Sequence, residues 1–232
     1  MERAVSVEVM RQSDAWTIAN KVPSKELMKR AGEGIYRTAE WKAPVAIVCG
    51  SGNNAGDGYV VADLLHQDGV DVTIILLSEK FSEDGKYYYD ICAGHGVPVK
   101  RFSELAQHSG SEMTNSARSK ETVQNTSSLC DLSAYATILD CILGTGFQGE
   151  PRGVAKEAIE AINASGAYVI SADINSGLNG DTGLGTCFVK SDLTVSIGDY
   201  KLGHFKGLAD QAMKEKVNVD IGIEIQGEYQ WL

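Results

Sequence analysis

"VAIVCGSGNNAGDGYVVADLL", residues 45–65, opens as an apolar run, passes a glycine-rich turn and continues with helical periodicity. Strand, glycine turn, helix is how nucleotide-binding α/β units begin. The spacing, however, departs from the common fingerprints. Gly50, Gly52 and Gly56 read G-x-G-x-x-x-G rather than G-x-G-x-x-G, and no Lys-Ser/Thr follows as in a P-loop. The turn carries Asn53, Asn54 and Asp57 instead. Amides supply oxygens and N–H donors, and Asp57 stands where it would cap a helix starting near Gly58. Backbone N–H groups at such a helix N-terminus hold a diphosphate without a lysine.

Working outward, further apolar runs rich in β-branched residues fall at 71–77, 98–102, 136–143, 167–173 and 193–197, with 217–223 as a candidate seventh. Several are apolar on both faces, as strands of a covered parallel sheet are. Helical patterns alternate with them, ending at Gly69 and Gly166. The fold class expected is α/β: a three-layer αβα sandwich with a doubly wound, mostly parallel sheet, Rossmann-like but without the dinucleotide fingerprint. Residues 1–232 are read as one domain, N-terminal helices over 1–43 and an α/β core over 44–232. The two upstream helices are expected near 6–18 and 24–39. Leu27, Met28, Ala31 and Ile35 form a stripe that either packs on the sheet or makes a subunit contact. The polar segment 103–130 reads as a surface helix with loose loops.

Net charge is -10, with 21 Lys and Arg against 31 Asp and Glu. That balance argues against nucleic acid, whose binding depends on neutralising phosphates. No run has the length of a membrane span and the N-terminus lacks the apolar core of a signal peptide, so a cytoplasmic protein is expected. The five cysteines form no C-x-x-C pair; Cys49 and Cys141 sit in apolar strand runs as small buried hydrophobes.

Three polar glycine loops each follow a strand: 50–58, 140–153 with Asp140 in the strand, and 172–183. On the carboxyl edge of one parallel sheet they would line a single crevice. An amide oxygen from Asn53 or Asn54, the Asp140 carboxylate and a hydroxyl or carbonyl oxygen near Ser176 would make an all-oxygen site for a hard cation. Few carboxylates converge there, which points to a monovalent ion such as K⁺. His204 in "DYKLGHFKG" reads as a surface histidine, while Lys201 and Lys206 read either as phosphate contacts or as solvated lysines.

Together the three loops resemble the YjeF N-terminal domain family, whose catalytic members are NAD(P)H-hydrate epimerases. The family's G-x-G-N-N-x-G-D-G matches Gly50–Gly58, with Ala55 where glycine is usual. Its D-x-x-x-G-T-G-F-x-G-x-x-R-G matches Asp140–Gly153. Its D-x-x-S-G-L-x-x-D-T-G matches Asp173–Gly183, with Asn175 where proline is usual. "LMKRAG" at 27–32 and "TVSIGDYKLG" at 194–203 are also similar to the family. The resemblance implies substrate binding by Asn53, Asn54, Ala55, Gly56 and Asp57, by Gly144, Thr145, Gly146, Phe147, Gln148, Gly149 and Glu150, and by Asp173. It implies one K⁺ per subunit, on Asn54, Asp140 and Ser176. The implied substrate is NADH or NADPH hydrated at C6, with Asp173 as the acid–base residue interconverting the R and S forms. A dehydratase on a separate chain and a homodimer joined through the N-terminal helices are expected partners. The competing expectation is a non-catalytic nucleotide-binding or scaffold module of the same family. Losing the proline at Asn175 is expected to loosen the backbone beside Asp173, and Ala55 would be awkward at a position of positive φ.

Overall fold

The computed structural model describes residues 2–105 and 130–232. Most of the expected surface helix at 103–130 therefore lies outside the described residues. Seven parallel strands form the sheet: β2 (Val45–Cys49), β3 (Val72–Leu76), β4 (Val99–Arg101), β5 (Thr137–Cys141), β6 (Tyr168–Ala172), β7 (Ser191–Ile197) and β8 (Met213–Val219), in the order β4-β3-β2-β5-β6-β7-β8. From β2 the chain winds outward through β3 to β4. It then returns to β5 beside β2 and winds the other way to β8. The reversal makes the β2–β5 boundary the switch point, where loops leaving adjacent strands part and open a crevice.

Side-chain alternation builds the three layers. Val45, Ile47 and Cys49 of β2 face one side with Val72, Ile74 and Leu76 of β3. That side is covered by α2 (Ser24–Thr38), α3 (Asn53–Gln67) and α4 (Glu83–His95). Ala46, Val48, Ile75 and Ile138 face the other side, covered by α5 (Val154–Ala164). The Leu27, Ala31 and Ile35 stripe of α2 is buried in the first layer, so it is used within the chain. Cys49 and Cys141 are fully buried, as expected.

Two departures concern the ends of the chain. The seventh strand is Met213–Val219, four residues ahead of the expected run. Its pairing stops at Ile197↔Val219 because β7 ends there and Gly198 turns the chain at φ +78. Residues 220–227 instead strap down the first helix, α1 (Val7–Asn20). Glu224 N donates to Thr17 Oγ1 at 3.0 Å and Gln226 N to Ser13 Oγ at 2.8 Å. A short antiparallel pair, β1 (Arg3–Ala4) with β9 (Gln230–Trp231), ties the two termini together.

Helices α2 and α3 cross at Gly32. A Cβ there would overlap Val60 Cβ and come within 2.8 Å of the Asp57 carbonyl. Gly32→Ala should therefore push the helices apart and cost about 1–3 kcal/mol, read as a lower midpoint in urea denaturation; an unchanged midpoint would mean the crossing is looser than described.

Candidate active site

The loops following β2, β5 and β6 come from three neighbouring strands and line one cavity of about 520 Å³. Ser51, Gly52, Asn53, Asn54 and Asp57 supply one wall, Leu143 to Phe147 another, and Asp173 with Lys201 a third. Of the expected substrate residues, Gln148, Gly149 and Glu150 lie outside this lining, beyond the turn. Ala55 and Gly56 are buried behind it.

The first glycine loop is shorter than its sequence suggests. Helix α3 already begins at Asn53, with Gly52 as an extended N-cap that makes no side-chain cap bond. Asp57 therefore sits inside the helix and does not cap it. Ala55 is helical, and the expected difficulty with positive φ does not arise. Gly56 and Gly58 are needed for packing: a Cβ at Gly58 would press on Cys141 Sγ, and one at Gly56 on Met28 and Gly85. With no side-chain cap and no acid in its first turn, α3 presents uncapped N–H groups to the cavity. Such a terminus receives anions.

Beneath the cavity lies Asp140, fully buried at the end of β5. Its Oδ1 accepts from Ser176 Oγ at 2.5 Å and Ile142 N at 3.2 Å; its Oδ2 accepts from Ser176 N at 2.9 Å and Ser171 Oγ at 3.0 Å. Burial pushes its carboxyl up, and the bonds from Ser176, Ile142 and Ser171 pull it back toward the ionised form. Ser176 Oγ also takes a hydrogen bond from Leu143 N at 2.8 Å. Across the switch point, Asn54 Nδ2 donates to Leu143 O at 3.2 Å, leaving Asn54 Oδ1 buried with no partner. An orphaned amide oxygen beside a carbonyl, a hydroxyl and one carboxylate fits a weakly charged cation.

Asp173 is the only non-glycine residue at positive φ among the described residues, at 63°. Two contacts hold it there. Its Oδ1 is ion-paired with Lys201 Nζ, and Lys201 is 1% exposed. Its carbonyl meets His204 Nε2 at 2.8 Å. Lys201 N donates to His204 Nδ1 at 3.1 Å, so Nδ1 is the acceptor and Nε2–H the donor to Asp173 O. Burial, then the Lys201 charge, lowers the His204 pKa to about 4, which keeps the imidazole neutral. His204 is thus not on the surface, which corrects the sequence expectation, and of the two readings of Lys201 the solvated one falls. Lys206 lines no part of the cavity.

Nor does Asn175 loosen the third loop. It is fully buried, its Nδ2 reaching Val189 O at 2.9 Å, Ser191 Oγ at 3.0 Å and Ala212 O at 3.0 Å. Its Oδ1 accepts from Thr194 Oγ1 at 2.6 Å. Side-chain bonds take over the restraint a proline ring would give.

Two acidic cavity residues, Asp14 and Asp84, were not anticipated. Asp14 of α1 lies with Met10 and Ile18 in a row at i, i+4 and i+8 facing the cavity. A carboxylate in an otherwise apolar helical row was the available signal. Burial pushes its carboxyl up to about 6; Lys201 opposes the shift and Asp173 adds to it. Burial also drives Asp57 well above the usual carboxylate range, reinforced by Asp173 and Asp14. Asp14, Asp57, Asp84 and Asp173 face a single basic lining residue, Lys201. Acid so gathered favours a ligand group that carries or develops positive charge.

The chain matches the model of the YjeF-related protein N-terminus over residues 24–203. Among curated relatives, the NAD(P)H-hydrate epimerase of Oenococcus oeni is 33% identical over 230 residues, covering 94% of this chain and 96% of that one. The bifunctional NAD(P)H-hydrate repair enzyme Nnr of Thermofilum pendens is 36% identical over 196 residues. The chain spans about a third of that relative's length (34%) and 40% of a second, from Coxiella burnetii. A solved structure described as yeast ynu0, YNL200c superposes with a TM-score of 0.65 at 20% identity, over 90% of this chain and 86% of that one, and so shares the fold. With three ordered loop motifs on one cavity and a family match across most of its length, the chain belongs to the YjeF-related N-terminal family.

Proposed function

We propose that the chain is an NAD(P)H-hydrate epimerase, interconverting the R and S C6-hydrates of NADH or NADPH. The observation that carries this is Asp173, a carboxylate held at positive φ by Lys201 and His204, facing the same cavity as the uncapped N-terminus of α3. The family match and the epimerase name of a relative aligned over nearly its whole length support it.

C6 of the hydrate is a hemiaminal centre. The ring-nitrogen lone pair expels the hydroxyl, giving a conjugated iminium, and water returns to either face. The α3 N-terminus, with Asn53 and Gly144–Phe147, takes the diphosphate, which leaves the ring at the acidic end. Asp173 Oδ1 is occupied by Lys201, while Oδ2 accepts no bond among the described residues. That oxygen stabilises the ring cation and takes the proton of the incoming water. The Lys201 pairing keeps the carboxylate in place when substrate is absent.

Asn54 Oδ1, the Leu143 carbonyl, Asp140 and Ser176 would hold one K⁺, which when bound supplies fixed positive charge that organises the β2 and β5 loops and the phosphates. A dehydratase consuming the S-hydrate is the functional partner, in keeping with relatives named bifunctional repair enzymes. Among the described residues no helix is long and apolar enough to cross a membrane. We place the protein in the cytoplasm, where the cofactors are turned over.

Incubating the S-hydrate of NADH with the protein in K⁺ buffer, with chromatography of the products, should give the R-hydrate well ahead of a protein-free blank. Asp173→Ala should lose about 10²–10⁴-fold in kcat, the range for removing an acid–base group. A wild type no faster than the blank would refute the epimerase. Separately, melting in KCl against tetramethylammonium chloride of equal ionic strength should show saturable stabilisation. At a hundred times Kd this is about 2.7 kcal/mol, a rise of roughly 5–10 °C, and Asn54→Ala should abolish it; equal melting in both salts would remove the cation site.

A further inference from the structure

Epimerisation by loss and return of water uses both faces of the ring. The hydroxyl departs from one face, and the new one must arrive on the other. One carboxylate on one wall serves one face only. Asp173 rises from the carboxyl edge of the sheet, where β6 ends, and its one bonded oxygen is taken by Lys201. A further wall of the cavity comes from a different part of the fold. Helix α1 lies over the end of β7, with Met10 against Gly198, and is held there by the 220–227 strap through Ser13 and Thr17. Its cavity-facing row is Met10, Asp14 and Ile18, continued by Ile221 and Ile223. In that apolar wall Asp14 is the sole polar side chain, and it makes no hydrogen bond or ion pair among the described residues.

The geometry points to Asp14 as a second catalytic residue, the proton-transfer group for the ring face turned away from Asp173. This rests on the epimerase reading above. In one direction the C6–O bond breaks and its electron pair leaves with the oxygen. That oxygen takes the proton of the Asp14 carboxyl and departs as water, while the ring-nitrogen lone pair forms the C6=N bond. Water on the other face then adds to C6, the C6=N pair returns to nitrogen, and the water's proton passes to Asp173. One proton has moved from Asp14 to Asp173, and exchange with solvent restores it. The reverse direction uses the same groups with roles exchanged. No oxidant or reductant is required.

The environment suits a group that must both give and take a proton. Asp14 is half-buried, and burial with the nearby Asp173 pushes its carboxyl up to about 6 against the pull of Lys201. A general acid–base works best with a pKa near the operating pH. Asp57, which faces the same space from α3, is pushed well above the usual carboxylate range by burial, and then by Asp173 and Asp14. The remaining charged residue lining the cavity is Asp84 of α4; on the strap, Glu224 meets Thr17 one turn along the helix and has its carboxylate paired with Lys21.

The test compares wild type, Asp14→Asn and Asp14→Glu in both directions, starting from purified S- and R-hydrates, with blanks subtracted at each pH. Because the productive free enzyme carries one proton between Asp14 and Asp173, wild-type kcat/KM should fall as pH rises above about 6. Asp14→Asn should lose about 10²–10⁴-fold in kcat in both directions, keep KM within about threefold, and lose the limb near pH 6. Asp14→Glu should recover part of the rate together with a displaced limb, which a merely structural role would not produce. Asp14→Asn within threefold of wild type, or with only KM raised, would overturn the assignment and leave the epimerase standing. A wild type that leaves both hydrates unchanged would overturn both.

Discussion

The arrangement depends first on the Asp140 carboxylate. It is fully buried at the end of a central strand, and four donors from Ile142, Ser171 and Ser176 close around it. An ionised group there would be prohibitive without such bonds. With them it becomes the node at which the loops after β5 and β6 are fixed to each other, and Asn54 joins the loop after β2 through the Leu143 carbonyl. The three glycine loops are far apart in sequence, yet one side chain fixes two of them and one further hydrogen bond brings in the third. Removing that carboxylate would orphan several buried donors at once, which costs more than the bonds themselves contribute.

Above this rigid floor the cavity separates two electrostatic tasks. The uncapped start of α3 and the Gly144–Phe147 turn offer N–H groups and no fixed charge, suited to a diphosphate. A short distance away four carboxyls face one lysine. A net acidic protein with an acidic pocket would be a poor receptor for an anion alone. It suits a ligand that is anionic at its phosphates and turns cationic at its ring during reaction. Lys201 reconciles the two by neutralising Asp173 in the resting state, with His204 kept neutral by burial so that no second positive charge competes.

Much of this was legible in the sequence. The sheet followed from apolar runs at regular spacing, and Asp140 and the neighbourhood of Ser176 stood out as polar positions beside strand ends in glycine loops, whereas Asn54 and Asp173 were singled out by the family resemblance. What was not legible depends on pairing in space. Lys201 reads either as a phosphate contact or as a solvated lysine because nothing within its own segment shows that it reaches Asp173, 28 residues away. His204 was misjudged for the same reason. Asp57 read as a cap because glycines on either side mimic a loop, although Gly58 serves close packing on the sheet and Gly56 close packing on neighbouring helices. Asn175 looked like a lost proline until its amide was seen to bond four groups on other segments. Asp14 was hidden because a strap from the far end of the chain positions its helix.

Cation formation at C6 can be tested by following the oxygen. In a single turnover of unlabelled S-hydrate in ¹⁸O-water, loss of hydroxide from one face and addition of water to the other require every R-hydrate molecule to carry a solvent oxygen. Mass spectrometry should therefore find one ¹⁸O per R-hydrate formed. An R-hydrate that retains its original oxygen would mean that the ring opens to an aldehyde and closes again, and the carboxyl-lined cavity would then not be a site for a ring cation.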